Sequence, residues 1–465
     1  MKTASSQANC KIAFWLLVCL LLANCASPPK VDAIIDQKPI SDTPTKIVGA
    51  HGPLSQKDAK ALIAKMGGNT QSTDLLRAHL LIEQEVAETP MVAGNNVKLL
   101  RNGEQTFAAM FSAIKDAKNH INLEYFTFDD VKYGGTTLGD LLVAKRQEGV
   151  VINVIYDGFG SIATPPQFFD RLKKADVQIV KFNPLNLLHA ASVNNRDHRK
   201  ILIVDGATAI VGGINLSMAY ESSSLRRSAG APVTKGEHWR DTDMLIQGPA
   251  TAELQKLFLQ HWAEQKGPAL KDAEFFRTQV SKGNEVVRII GSTPEDQLPR
   301  YYVTLLSAIR SADKNIYLSS AYFVPTHDER DDLIAAAKRG VDVRIFLPGI
   351  SDSPTAIEVQ HSHYEDLLEA GVKIYESNHE VLHAKTITID GVWSVIGSSN
   401  FDHRSVLLND EVDVVVIGRE TSQELQAMFQ DDIKGAKQIT LSEWKKRPLP
   451  QNIKDKAARF WEDLL

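Results

Sequence analysis

The 465 residues predict a two-lobed α/β protein whose halves are related by an approximate twofold. A chain this long exceeds what one ordinary core organises, so two or three domains are expected. Along the body, apolar β-branched stretches alternate with amphipathic helical ones, the pattern of layered α/β domains. The body also repeats itself. SAIKDAKNHINLEYFTF at 112–128 parallels SAIRSADKNIYLSSAYFV at 307–324, each a helix end leading into an aromatic-rich strand. EGVVINVIYDG at 148–158 parallels RGVDVRIFLPG at 339–349, and KKADVQIVKFNP at 173–184 parallels LEAGVKIYESNH at 368–379. Long-period similarity usually signals a repeat array. Two copies alone make a pair of pseudo-twofold halves rather than a solenoid.

Composition narrows the function classes. With 43% hydrophobic and 23% charged residues the chain is globular, neither disordered nor fibrous. A formal charge of −5 gives no electrostatic reason to expect a nucleic-acid partner, since phosphate-backbone binders carry basic surfaces.

At the N-terminus, Lys2 and Lys11 precede an uninterrupted apolar run from Ile12 to Ala23. A membrane-spanning helix needs about 20 apolar residues and a signal-peptide core about 7–15, so residues 1–24 read as an export signal. Leu22-Ala23-Asn24-Cys25 resembles a bacterial lipoprotein cleavage box, with Asn24 where Gly, Ala or Ser is usual. The cysteines Cys10, Cys19 and Cys25 all lie in the first 25 residues. A body without cysteines needs no disulfide, and Cys25 has a purpose if it carries lipid. An uncleaved anchor and ordinary cleavage are the alternatives. The expectation is a lipid-anchored protein of a bacterial envelope facing the periplasm, on an unspecified membrane.

Residues 25–53, rich in Pro, Ser, Thr and Asp, read as a tether. Residues 54–94 read as a helical lead-in packed on the first half. The two halves are expected over 95–270 and 271–440, followed by a segment at 441–465 that mixes Trp444, Phe460, Trp461, Leu464 and Leu465 with basic residues. That segment either lies on a membrane or docks on the body.

The repeat carries polar residues with a fixed spacing. DHRKILIVDGATAIVGGINLS supplies His198, Lys200, Asp205, Gly212, Gly213 and Asn215; LHAKTITIDGVWSVIGSSN supplies His383, Lys385, Asp390, Gly397, Ser398 and Asn400. Both fit H-x-K-x4-D-x6-G-[GS]-x-N without a gap. On a strand, residues two apart share a face, so each histidine and lysine pair converges. A lone H-x-K signals nothing; two full copies at matching places in a repeat do.

These motifs resemble the signature of the phospholipase D superfamily, and within it bacterial cardiolipin synthases, over roughly residues 95 to 450. LEYFTFDD (123–130), VGGINLSMAY (211–220), HWRDTDMLIQGPA (238–250), AYFVPTHD (321–328), SDSP (351–354), YEDLLEAGVKIYE (364–376) and GSSNFDHRSVLLNDEVDVVV (397–416) carry the resemblance further. It implies two pseudo-twofold-related α/β/α sandwich domains with one shared active site. The implied activity is a phosphatidyltransferase that joins two phosphatidylglycerol molecules into cardiolipin and releases glycerol. A phospholipase D or headgroup-exchange enzyme using water or another alcohol is the alternative. A nucleic-acid phosphodiesterase is disfavoured by the acidic balance.

The chemistry follows from the residue types. One imidazole attacks phosphorus to give a phosphohistidine, and the other, protonated, serves the leaving oxygen and then the incoming hydroxyl. Lys200, Lys385, Asn215 and Asn400 would hold the phosphoryl oxygens, and Ser398 could donate to the phosphate where Gly213 cannot. The lysines supply charge often taken from a divalent ion, so no cofactor or metal is expected. HSH at His361–His363 is the one metal-like pattern and reads as exposed polar residues at a helix start. The resemblance gives Asp241 and Glu411 the role of orienting the histidines, the alternative being surface strand caps, and it favours His198 as nucleophile and His383 as acid/base. Asp205 and Asp390 precede Gly206 and Gly391 and read as turn and scaffold residues. The insertion at 221–238, with Arg226 and Arg227, is either a lid or headgroup contact or a solvated loop.

Overall fold

The computed structural model describes residues 28–35, 45–67, 72–183, 194–217, 219–220, 239–271, 273–459 and 462. The export signal, Cys25, the 221–238 insertion with Arg226 and Arg227, and Phe460, Trp461, Leu464 and Leu465 lie outside the described residues. Among the described residues no helix is long and apolar enough to cross a membrane.

Each half is built on a seven-stranded mixed sheet. The first contains β1 (Met91–Arg101), β2 (His120–Tyr125), β3 (Val151–Asp157), β4 (Gln178–Phe182), β5 (Lys200–Val204), β6 (Thr208–Gly212) and β7 (Thr242–Gln247). The second contains β8 (Glu285–Ser292), β9 (Asn315–Ser319), β10 (Asp342–Pro348), β11 (Lys373–Ser377), β12 (Thr386–Ile389), β13 (Trp393–Gly397) and β14 (Asn409–Ile417). In space the first runs β4-β3-β2-β5-β6-β7-β1, with β4, β3 and β2 parallel and the remaining pairs antiparallel. The second runs β11-β10-β9-β12-β13-β14-β8 with the same directions. The registers match as well: Leu202 lies between Leu123 and Ile210 as Ile387 lies between Leu318 and Val395.

The central strands are buried on both faces, which is why β3 and the C-terminal part of β14, Val414–Ile417, read as apolar runs rather than alternating ones. One face of the first sheet packs on helices through Phe107, Ile114, Leu142 and Leu172. The second does the same through Leu305, Ile309, Leu333 and Leu367. A third core joins the halves, with Ile201, Val211 and Met244 of the first packed among Ile396, Val412 and Val414 of the second. Strand β1 also links them: its C-terminal part pairs with β7, its N-terminal part with β8. The expected boundary at 95 falls inside this strand.

Two expectations are corrected. The lead-in helices Gln56–Gly67 and Ser72–Ala87 pack on the second half, not the first. Leu80 and Ala87 enter its core, and buried Glu83 accepts from Trp393 Nε1 at 3.1 Å beside the Arg288 guanidinium at 3.2 Å. The described parts of the tether are also docked. Val31 is buried against Tyr302, Val303 and Leu306, and Ile47 pairs with Met91 of β1. For the C-terminal segment, the described residues dock on the body, with Trp444 packed on Tyr364 at 4.7 Å between ring centroids.

Asp205 and Asp390 close equivalent turns between β5 and β6 and between β12 and β13. Each has a positive φ, 53° and 54°, and each is followed by a left-handed glycine. The Asp205 carboxylate accepts from the backbone N–H groups of Lys118, Asn119 and His120 at 2.8–2.9 Å. Asp390 accepts from Asp313, Lys314 and Asn315 at 2.7–3.0 Å. Each aspartate thereby ties the strand carrying its motif to the start of its antiparallel neighbour, β2 or β9. Asp205→Ala would leave three donors unmatched and remove the short polar side chain that tolerates the left-handed region, at a cost of about 2–3 kcal/mol. The expected result is a lower urea midpoint with partial recovery in Asp205→Asn, which tolerates that φ and still accepts; an unchanged midpoint in Asp205→Ala would contradict this.

Candidate active site

Two short parallel pairings cross between the halves and set the site. Arg196–Asp197 pairs with Asn409–Asp410 at the start of β14, and Trp239–Arg240 pairs with Val381–Leu382. The next backbone bond in each is made by a motif histidine: His198 N donates to Asp410 O at 2.9 Å, and His383 N to Arg240 O at 2.7 Å. The residue after each acceptor is the expected carboxylate, Glu411 or Asp241. Each histidine is therefore fixed by the opposite half. Buried arginines clamp the acceptor segments. Arg199 Nε donates to Glu411 O at 3.1 Å, and Arg240 donates to Asp241 O at 2.6 Å and to the Asp432 carboxylate.

The side chains repeat the crossing. His198 Nδ1 lies 3.0 and 3.1 Å from the two Glu411 carboxylate oxygens. His383 Nδ1 lies 2.8 Å from Asp241 Oδ2. A carboxylate only accepts, so each ring carries its proton on Nδ1 and presents Nε2 as the reactive nitrogen. Both carboxylates are buried at the floor of the site rather than capping surface strands.

Lys200 and Lys385 lie beneath the histidines. Each ammonium donates to the backbone carbonyl of its own motif histidine, and Lys385 Nζ also sits 3.0 Å from His383 Nδ1. His383 and Lys385 occupy the link before β12 rather than the strand itself, yet their side chains do converge. Burial and the nearby lysine charges hold His198 down to about 4, against the pull of Glu411. Burial and Lys385 bring Lys200 down to about 7. Burial lowers Lys385, and burial with Lys385 lowers His383. Burial alone would raise Glu411, but His198, Lys200 and Ser398 bring it down to about 2. Two neutral imidazoles over an ionised carboxylate and a pair of crowded cations describe a site awaiting an anion.

Asn215 and Asn400 line the same cavity as both histidines. Asn215 Oδ1 accepts from Thr127 N at 3.2 Å, which leaves its NH2 group as the donor available to the cavity. Ser398 departs from expectation. Its hydroxyl donates to Glu411 Oε2 at 2.5 Å and accepts from Val412 N at 2.9 Å, so it braces the carboxylate instead of facing the cavity. The difference from Gly213 has a steric cause: a Cβ at Gly213 would run into the Asp241 carboxylate. In the first half Tyr220 takes the bracing role, with its hydroxyl 3.2 Å from Asp241 Oδ2 and 2.9 Å from His383 Nδ1. Asn409 adds a donor to Glu411 at 3.1 Å. Tyr220, Asn409, Arg196, Arg404, Tyr322 and Asp352 were not singled out from sequence. Five of them lie within the stretches quoted for the resemblance, but none belongs to the repeated H-x-K-x4-D-x6-G-[GS]-x-N spacing.

The cavity holds about 530 Å³. Phe126, Phe159, Arg196 and Arg404 line it on the His198 side, and Trp239, Tyr322 and Asp352 on the His383 side.

The metal-like pattern reads differently in three dimensions. His361 ends one helix and His363 stands between it and the start of the next, and neither is exposed: His361 Nε2 pairs with Glu376 at 2.9 Å, and His363 is buried, with burial and nearby arginines taking it to about 3. A separate set, Glu124, Asp197 and His261, brings potential ligand atoms within 4.8 Å of one another from three distant segments. Arg199 stands 3.3 Å from Glu124, and Glu124 raises His261 to about 9. Arg199 and His261 thus already meet Glu124, while burial and the Glu124 charge push the Asp197 carboxyl well up toward its neutral form.

A solved structure with the same fold is phosphatidylserine synthase from Haemophilus influenzae, with a TM-score of 0.59 at 14% identity, covering 85% of this chain and 100% of that one. Cardiolipin synthase of Alkalihalophilus pseudofirmus is 34% identical over 408 residues, 87% of this chain and 78% of that protein. Cardiolipin synthase 1 of Bacillus anthracis is 33% identical over 393 residues, 83% and 75% of the two chains. The family described as "Cardiolipin synthase, PLD-like domain" matches residues 110–262 and 305–433, the two halves that carry the crossed histidines. The chain belongs to the cardiolipin synthase family of phospholipase D-like proteins.

Proposed function

We propose that the chain is a phosphatidyltransferase that joins two phosphatidylglycerol molecules into cardiolipin and releases glycerol. The observation that carries this reading is the pair of histidines facing one cavity, each with Nδ1 on a buried carboxylate from the other half. In the first step the His198 Nε2 lone pair forms a bond to phosphorus, the bond to the glycerol oxygen breaks, and His383 gives its proton to that oxygen. The phosphorylated imidazole retains its Nδ1 proton and becomes cationic, and the Glu411 carboxylate offsets that charge. In the second step His383 takes the proton of an incoming phosphatidylglycerol hydroxyl, whose oxygen bonds to phosphorus as the bond to His198 breaks. The entering phosphodiester lies over Lys200 and Lys385, relieves their mutual repulsion and raises His383 toward the protonated form the first step needs.

Access from a lipid surface fits the rim. Phe159 lines the cavity and is 52% exposed, and Ile162, whose N–H donates to Phe159 O, is 66% exposed, so two apolar side chains stand together beside the cavity.

The test is mass spectrometry of lipids after the purified chain meets phosphatidylglycerol vesicles. Cardiolipin and free glycerol should appear together, and His198→Ala and His383→Ala should each reduce turnover at least a thousandfold, the order expected for loss of a nucleophile or its proton partner. Phosphatidic acid as the sole product would favour hydrolysis instead.

The pH profile of kcat/KM reports the free chain. It should rise through about 4 as His198 becomes neutral and fall through about 7 as Lys200 loses its proton. The lowered value of His383 acts in the same direction. Lys200→Arg, which stays charged, should remove the lysine's share of the fall and leave a shallower alkaline limb set by His383 alone. An alkaline limb near 10 in the unaltered chain, where an ordinary lysine titrates, would contradict the assignment.

A further inference from the structure

Two carboxylates line the cavity, Asp402 and Asp352; Asp402 caps a helix by accepting from Ser405 N at 2.8 Å, which leaves Asp352 unexplained by phosphate binding. The His198 side carries Arg196 and Arg404, suited to an anion, but the His383 side carries a carboxylate, Asp352. A carboxylate there repels a phosphodiester and calls for a different partner. It is tied to the reacting groups through Tyr322, whose ring lies edge-on to His383 at 6.2 Å and whose hydroxyl donates to Asp352 Oδ1 at 2.7 Å. Ser351 Oγ donates to the same oxygen at 3.1 Å. Both bonds fall on Oδ1, and no donor among the described residues is recorded on Oδ2.

Displacement at phosphorus is in line, so the departing and entering alcohols both occupy the face opposite the nucleophile. With His198 as nucleophile, that face is the His383 side. We propose that Asp352, held by Tyr322, recognises the alcohol by accepting a hydrogen bond from the secondary hydroxyl of a glycerol headgroup while the primary oxygen faces His383. The ligand class is a neutral vicinal diol. Ethanol lacks the second hydroxyl, and ethanolamine replaces it with an ammonium. The inference rests on the transferase reading and on His198 as nucleophile.

The experiment lets isotopically labelled glycerol, ethanol and ethanolamine compete in one vial containing the full chain and phosphatidylglycerol vesicles. The readout is the ratio of labelled phosphatidylglycerol to phosphatidylethanol, which does not depend on how much protein is folded. The unaltered chain should favour glycerol. Asp352→Ala should lower the ratio about tenfold or more, the usual loss for a hydrogen bond to a charged group, and Tyr322→Phe should lower it by less. An unchanged ratio in Asp352→Ala overturns the proposal. So does a change confined to ethanolamine, which would assign the carboxylate to an ammonium headgroup. If Arg404→Gln moves the glycerol ratio and Asp352→Ala does not, the alcohol lies on the other side. Absence of any labelled lipid with the unaltered chain is a distinct result that removes the transferase reading along with it.

Discussion

Everything in the site depends on a backbone exchange: each motif histidine donates its N–H to a carbonyl of the opposite half, one residue before the carboxylate that orients its ring. Neither half is complete alone. Its histidine would lack a carboxylate, and its carboxylate would be a buried charge without a partner, a situation that costs several kcal/mol in proteins generally. The shared apolar core and the doubly paired strand β1 hold the halves in the register this exchange needs. Fold and chemistry are thus linked by the same few bonds.

Symmetry in the backbone does not give symmetry in the chemistry. Ser398 and Asn409 saturate Glu411 with neutral donors, whereas Tyr220 braces Asp241 and touches His383 as well. Gly213 cannot become a serine because the shorter Asp241 occupies that space. The cavity is uneven in the same sense, with guanidinium groups on the His198 side and a carboxylate on the other. Two imidazoles in near-equivalent frames therefore have different surroundings, as a displacement with one nucleophile and one acid requires.

Much of this was legible in sequence because the repeat is written in residue identity. The H-x-K-x4-D-x6-G-[GS]-x-N spacing located both histidines, both lysines and the turn aspartates, and the family resemblance pointed to Asp241 and Glu411. What sequence could not carry was who faces whom. The exchange of carboxylates is a tertiary event with no local pattern, and Ser398 reads as a phosphate donor until Glu411 is found within reach of its hydroxyl. Packing of the lead-in was misplaced for a related reason: the apolar face of Ser72–Ala87 shows that it docks, but only Glu83 meeting Trp393 and Arg288 shows where. Glu124, Asp197 and His261 likewise come from three segments that no spacing connects.

The crossed pairing is tested most directly by 15N NMR of histidine-labelled protein, following the Nδ1 resonances of His198 and His383. Glu411→Gln should shift the Nδ1 signal of His198 and leave that of His383 nearly unmoved, and Asp241→Asn should do the reverse. If each substitution instead perturbs the histidine of its own half, the carboxylates are not exchanged and the two halves do not build one shared site.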